Sequence, residues 1–183
     1  MNEEDGNDFL KDEYQSLRGE ILKRTELQHQ LISIAVVAFG SLLAIGFGKD
    51  GSPRAILAYP LLTVALSAAW SQHDIRIKQL GTYIKEHIEA ELLGEGRGWE
   101  HLLSRSAESD RVGKRTIWST RTILLITPIL AVILSRFKIG AIRPVDAGDW
   151  LLTGMGVLCI AVTFYLFRRI KTTADKIGSK ADS

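Results

Sequence analysis

Few side chains in this 183-residue chain are spaced for chemistry. His87 and Glu91 stand four positions apart, which places both on one face of a helix, where two ligands can meet one metal ion. A metal site takes three or four such ligands, and the one further candidate, His101, lies fourteen positions from His87. The pair therefore reads as a solvated helix face, and neither a metal nor a cofactor is expected. His73 and Asp74 adjoin the end of an apolar stretch, a place for an interfacial anchor or for one part of a gate. There is no phosphate-cradling glycine loop, dinucleotide fingerprint, cysteine pair or nucleophile elbow, so no enzyme is expected. The single cysteine, Cys159, allows no intrachain disulfide and reads as a packing residue.

Polar and small residues inside apolar stretches give a second class of candidate. Ser33, Ser41, Thr63 and Ser67 are hydroxyls that could line a pore or pack within their own bundle, and Ser119, Thr122 and Thr127 belong with them. Gly40 and Ala44 form a small-xxx-small pair that lets two helix backbones approach closely, within one chain or between copies. A third class is basic. Arg76, Lys78, Lys114, Arg115, Arg121, Arg168, Arg169 and Lys171 gather near the ends of apolar stretches. Such residues set topology and meet anionic headgroups, or they capture an anionic ligand such as a nucleotide or oligonucleotide. The interleaved aromatics of a single-strand binding groove are missing.

The elements that must position these residues are four uncharged stretches. Leu31–Gly48, Ala55–Gln72 and Trp150–Phe167 each hold 18 residues without Asp, Glu, Lys or Arg, and Thr122–Ser135 holds 14. Crossing a ~30 Å hydrocarbon core takes about 20 apolar residues. The third stretch reaches that length only if Thr116–Thr120 joins it and Arg121 sits near the interface. Composition alone hides this pattern, since charged residues make up 24% of the chain and mean hydropathy is only +0.08. A soluble helix keeps one charged face; these stretches keep none. The fold class expected is all-α: an integral membrane helical bundle of four transmembrane helices, arranged as two hairpins with cytoplasmic helical extensions.

Lys and Arg give the sidedness. Seventeen lie in the amino-terminal arm, the central connection and the tail, against five in the other two connections. The positive-inside rule then places both termini and the central connection in the cytoplasm of a multi-pass inner-membrane protein. Trp70, Trp118 and Trp150 fall at stretch ends, as interfacial anchors do. The acidic amino-terminal arm has no early apolar run and does not read as a secretory signal.

The organisation expected is a cytoplasmic amphipathic helix (1–30), a first transmembrane hairpin (31–72), a cytoplasmic helical insert (73–116), a second hairpin (117–167) and a basic cytoplasmic tail (168–183). Leu10, Tyr14, Leu17 and Ile21 form a short coiled-coil-like seam, open to another copy or to another helix of the same chain. Ile77, Leu80, Ile84, Ile88 and Leu92 stripe a helix that continues the second span. Gly94–Gly98 reads as a helix stop, Trp99–Leu103 as a short docking helix, Ser104–Gly113 as loop and Gly178–Ser183 as disordered. Pro60 and Pro128 are candidate kinks.

Two motifs suggest a relationship. Glu13–Arg24 (EYQSLRGEILKR) runs directly into a spanning stretch, and Leu80–Glu86 (LGTYIKE) is followed by Gly98-Trp99-Glu100. Together they resemble a group of small bacterial integral membrane proteins with paired spans and a cytoplasmic helical insert. The layout is similar to the transmembrane effectors of bacterial nucleotide-signalling anti-phage systems, including SLATT-type pore-forming effectors and the membrane effector of Hailong systems. The resemblance covers most of the chain in layout but only these short helical motifs in sequence, and it transfers no ligand or catalytic residue. It implies a homo-oligomeric pore in the lipid bilayer, answering a nucleotide or oligonucleotide signal made by a partner nucleotidyltransferase. The alternative is a non-conducting membrane scaffold that recruits a cytoplasmic partner.

Overall fold

The computed structural model describes the backbone of residues 3–93, 98, 107–142 and 146–181, and the side chains of 8–92, 98, 119–141 and 146–168. Every regular element among them is helical: α1 (Glu3–Phe47), a short 3-10 segment (Pro53–Ala58), α2 (Tyr59–Tyr83), a π-helical segment (Ile84–Glu89), α3 (Ala90–Leu93), α4 (Ala107–Ile142) and α5 (Ala147–Ala181). Four helices are long and apolar enough to cross a membrane: Asp8–Phe47, Pro53–Leu92, Ser119–Ala141 and Ala147–Arg168. The chain is a multi-pass helical membrane protein on that ground.

Two segments depart from expectation. The residues from Ala107 to Gly113, expected as loop, are the first turns of α4. No Pro or Gly interrupts the sequence there until Gly113, so the backbone is free to continue as helix. The tail, expected to be disordered from Gly178, is helical through Ala181, a single glycine costing a long helix only about 1 kcal/mol. The expected docking helix Trp99–Leu103 lies outside the described residues. The third apolar stretch lies within a helix that continues past both of its ends, through Arg121 on one side and through Arg136 and Lys138 on the other. Pro60 is the second residue of α2, where its missing N–H costs nothing, whereas Pro128 lies inside α4.

The chain divides into two compact units. The first comprises Met1–Gln28, Gln72–Trp118 and Thr172–Ser183. Within it, Leu10, Tyr14, Leu17 and Ile21 are half-buried, and the Tyr83 hydroxyl donates to Glu13 Oε1 at 3.0 Å. Ile84 and Ile88 are buried, so the stripe predicted for this helix does pack. Glu89 is buried beside Gly98, where any Cβ would collide with its carboxylate.

The second unit comprises His29–Ser71 and Ser119–Lys171. One end of it is tied by polar contacts around residues 46–54. α1 stops at Gly48, whose N–H reaches Ala44 O, and the Gly51 N–H bonds Gly48 O. Gly46 and Gly51 are required by close approach: a Cβ on the first would strike Ile56, and one on the second would strike the Ile45 carbonyl. Lys138 of α4 reaches the freed carbonyls at this helix end, bonding Gly46 O at 2.7 Å and lying over the Phe47 ring. Ser135 donates to Pro53 O at 2.9 Å. At the start of α5, Asp146 and Asp149 form a reciprocal capping box through each other's backbone N–H groups. Arg54 clamps both carboxylates, Nε to Asp149 Oδ1 at 2.8 Å and Nη2 to Asp146 Oδ2 at 2.9 Å.

Beyond this end the interior is mainly apolar, with a few hydroxyl side chains enclosed in it. Ile56, Tyr59 and Ala131 form one buried cluster lined by Ala38, Phe39, Leu42, Leu43 and Leu62. Leu57, Val132 and Ile139 form another, against Leu152 and Ile160. Burying one such side chain contributes about 1.5–3 kcal/mol relative to water exposure, but far less relative to lipid, so shape and polar satisfaction hold these helices together. Arg54→Ala leaves the buried Asp149 carboxylate without its cation and should cost about 1–3 kcal/mol, read as a lower thermal unfolding midpoint in detergent. Arg54→Lys, which cannot fork to both carboxylates, should recover only part of that loss.

Candidate functional site

The small and hydroxyl residues of α1 and those of α2 face different surroundings. On α1, Ser33, Gly40, Ser41 and Ala44 are all exposed, and among the described residues, apart from Gly40's chain neighbours and α1's own local backbone, no atom comes within 4 Å of a Cβ built on Gly40. Ile34, Val36, Val37 and Ile45 are exposed beside them, while Ala35 is buried. Only 11% of the most apolar window of this helix is buried, against 50% for the span containing α2. Gly40 therefore does not serve packing among the described residues, and Ala44 is exposed one turn away. Ser33 satisfies its hydroxyl on His29 O at 3.1 Å, as hydroxyls on lipid-facing helices do.

On α2, Thr63 and Ser67 are fully buried inside the second unit. Thr63 Oγ1 donates to Pro60 O at 2.8 Å. Ser71, one turn past Ser67, donates to Ser67 O at 2.6 Å. The two candidate sets thus share no surface. Of the third-span hydroxyls, Thr127 pairs with Tyr59 at 2.9 Å and donates to Ile123 O, while Ser119 and Thr122 are exposed.

The basic residues divide in the same way. In the first unit, Arg76 is exposed and bonds Gln79 at 3.3 Å, while Lys78 pairs with the mostly buried Asp74 at 2.9 Å. In the second, Arg121 is half-buried, its guanidinium 5.8 Å from the Trp70 ring centroid and 5.6 Å from that of Phe167. Those two buried rings meet edge-on at 6.0 Å. Arg168 is exposed. The charges of Lys78 and Arg121 are engaged inside their own units, whereas Arg76 and Arg168 have solvent or headgroups to meet. The side chains of Lys114, Arg115, Arg169 and Lys171 lie outside the described residues.

His87 is stacked on Tyr83, ring centroids 4.8 Å apart, and His101 lies outside the described residues. Among the described residues no group of three or more His, Cys, Asp or Glu could hold a metal ion. The π-helical turn at Ile84–Glu89 that carries His87 had no forewarning in the residue pattern. π-turns concentrate at functional sites, and this one presents Tyr83 and His87 together. The Arg54–Asp149 clamp had a signal, the Asp-x-x-Asp spacing that opens a capped helix at Asp146.

Since Gly40 meets nothing, Gly40→Leu should leave the stability of the isolated protomer unchanged or slightly raised by helix propensity. Gly46→Leu should destabilise it by on the order of 1–3 kcal/mol through collision with Ile56. Unfolding midpoints of the two variants in detergent make the comparison. Comparison of the chain with protein-family models, curated proteins and solved structures gives no match.

Proposed function

We propose that this protein is a homo-oligomeric channel or pore of the bacterial inner membrane, gated from the cytoplasm, and an anti-phage defence effector rather than an enzyme. The observation that carries this reading is the unused face of α1, where Ser33, Gly40, Ser41 and Ala44 are exposed along an otherwise apolar helix. Small residues give a second copy close backbone approach, and hydroxyls give water something to bond. In this reading the four spans form two hairpins, both termini and the first unit lie in the cytoplasm, and α1 carries the gating signal along its length. The signal is an anionic nucleotide or oligonucleotide, made by a partner nucleotidyltransferase and met by exposed cations such as Arg76 and Arg168.

A second reading, the non-conducting scaffold, draws on a different observation. Phe9 and Leu22 are each 70% exposed on the part of α1 that belongs to the first unit, a surface suited to a partner helix.

Membrane potential separates the two. Induced expression in bacteria carrying a voltage-sensitive dye should depolarise the cells, and Gly40→Leu, inserted to the same level, should not. Depolarisation that survives Gly40→Leu removes the assembly role of α1. Co-purification of a partner without depolarisation, even with the nucleotidyltransferase product supplied, favours the scaffold. Charge reversal of Arg76 and Arg168 together should raise the signal concentration needed for half-maximal depolarisation by roughly tenfold or more, the equivalent of 1.4 kcal/mol. An unchanged response removes both residues from recognition of the signal.

A further inference from the structure

Ser67 stands out among the buried hydroxyls of the second unit. Its Oγ is fully enclosed and has no hydrogen-bond partner, whereas Thr63 and Ser71 on the same helix both bond back to the backbone. Leaving a buried hydroxyl unpaired costs about 1–3 kcal/mol. We propose that Ser67 holds a buried water molecule that bridges α2, α4 and α5.

The partners follow from helix register. A Cβ on Gly156 of α5 would lie 3.1 Å from Val132 of α4 and 3.6 Å from Pro60 of α2, so these three residues share one level. Trp70, Phe167 and Arg121 share another, through the ring contacts. With a rise of about 1.5 Å per residue, interpolation between the two levels puts Ser67, Thr163 and Leu124 at one depth. Thr163 is fully buried and Leu124 is 1% exposed. Thr163 Oγ1 spends its proton on Cys159 O at 3.0 Å and keeps lone pairs to accept. The Leu124 carbonyl loses its usual donor, because the residue four positions on is Pro128, which has no N–H.

One hydroxyl donor and two acceptors therefore sit at one depth between three helices. Water matches this set: it accepts from the Ser67 O–H and donates to Thr163 Oγ1 and to Leu124 O. Buried waters typically make about three such bonds. Ordered water is also one of the means by which spanning helices satisfy carbonyls freed by proline. The direct alternative, Ser67 donating straight to Leu124 O, is excluded by the absence of any partner within hydrogen-bond distance of Ser67 Oγ. The inference concerns the protomer alone and holds whether or not the protein conducts.

Water-to-protein magnetisation transfer in solid-state NMR of the full chain in lipid bilayers tests it. The expected result is transfer from water to Ser67 and Thr163 and none to Thr63. Ser67→Ala should abolish the transfer at Thr163 and lower the thermal midpoint by about 2–4 °C. In a Pro128→Ala background, which returns an N–H to Leu124 O, Ser67→Ala should lower the midpoint by less than half as much. The proposal is overturned if Thr163 receives no water signal in the native protein. It is equally overturned if Ser67→Ala leaves the midpoint unchanged or raises it, as removal of a dry, unpaired hydroxyl would.

Discussion

The constraint on which this structure depends is that backbone and charged groups inside an apolar slab must find partners within the protein. Helices meet most of it by themselves. What remains falls where a helix ends, and the 46–54 crossing shows how it is met. The carbonyls of Gly46 and Gly48 receive Lys138, Pro53 O receives Ser135, and the first N–H groups of α5 receive Asp146 and Asp149. Arg54 then neutralises both carboxylates. Four charged residues of the spanning unit, Arg54, Lys138, Asp146 and Asp149, take part in closing one end of it. Each has a partner that accounts for it in the architecture, although an intramembrane charge is by default a functional lead.

The same constraint explains why α1 and α2 carry similar residues to different ends. α2 is enclosed, and its hydroxyls turn inward onto backbone carbonyls or, at Ser67, toward the space shared with α4 and α5. α1 is hardly enclosed at all, so its small residues look outward. Lipid tails give no hydrophobic reason to bring two such helices together; small residues are what permit close backbone approach. The small residues of α1 thus lie on the least buried of the four spans.

The residues of the first unit follow different rules. The seam on α1 is half-buried within its own unit, beside the Tyr83–Glu13 hydrogen bond. Phe9 and Leu22 lie off that seam and stay exposed. On the π-helical segment Ile84 and Ile88 are buried, while His87 stays exposed and stacks on Tyr83.

Residue order alone determined the four spans, the helical class and the continuity of α1 and α2 past their apolar stretches. Each of these rests on local facts: exclusion of charge, absence of proline, periodic apolar positions. It also marked Gly40, Ser67 and the basic residues as candidates, because residue type limits what a position can do. Tertiary structure decided which face each candidate occupies. Gly40 and Ser67 sit in equally apolar surroundings in the sequence, yet one meets nothing and the other is fully enclosed. That outcome depends on contacts between residues far apart in the chain, such as Arg54 with Asp149 and Trp70 with Phe167. Periodicity gives a helix its stripes, but only the packing of its neighbours chooses which stripe is inside.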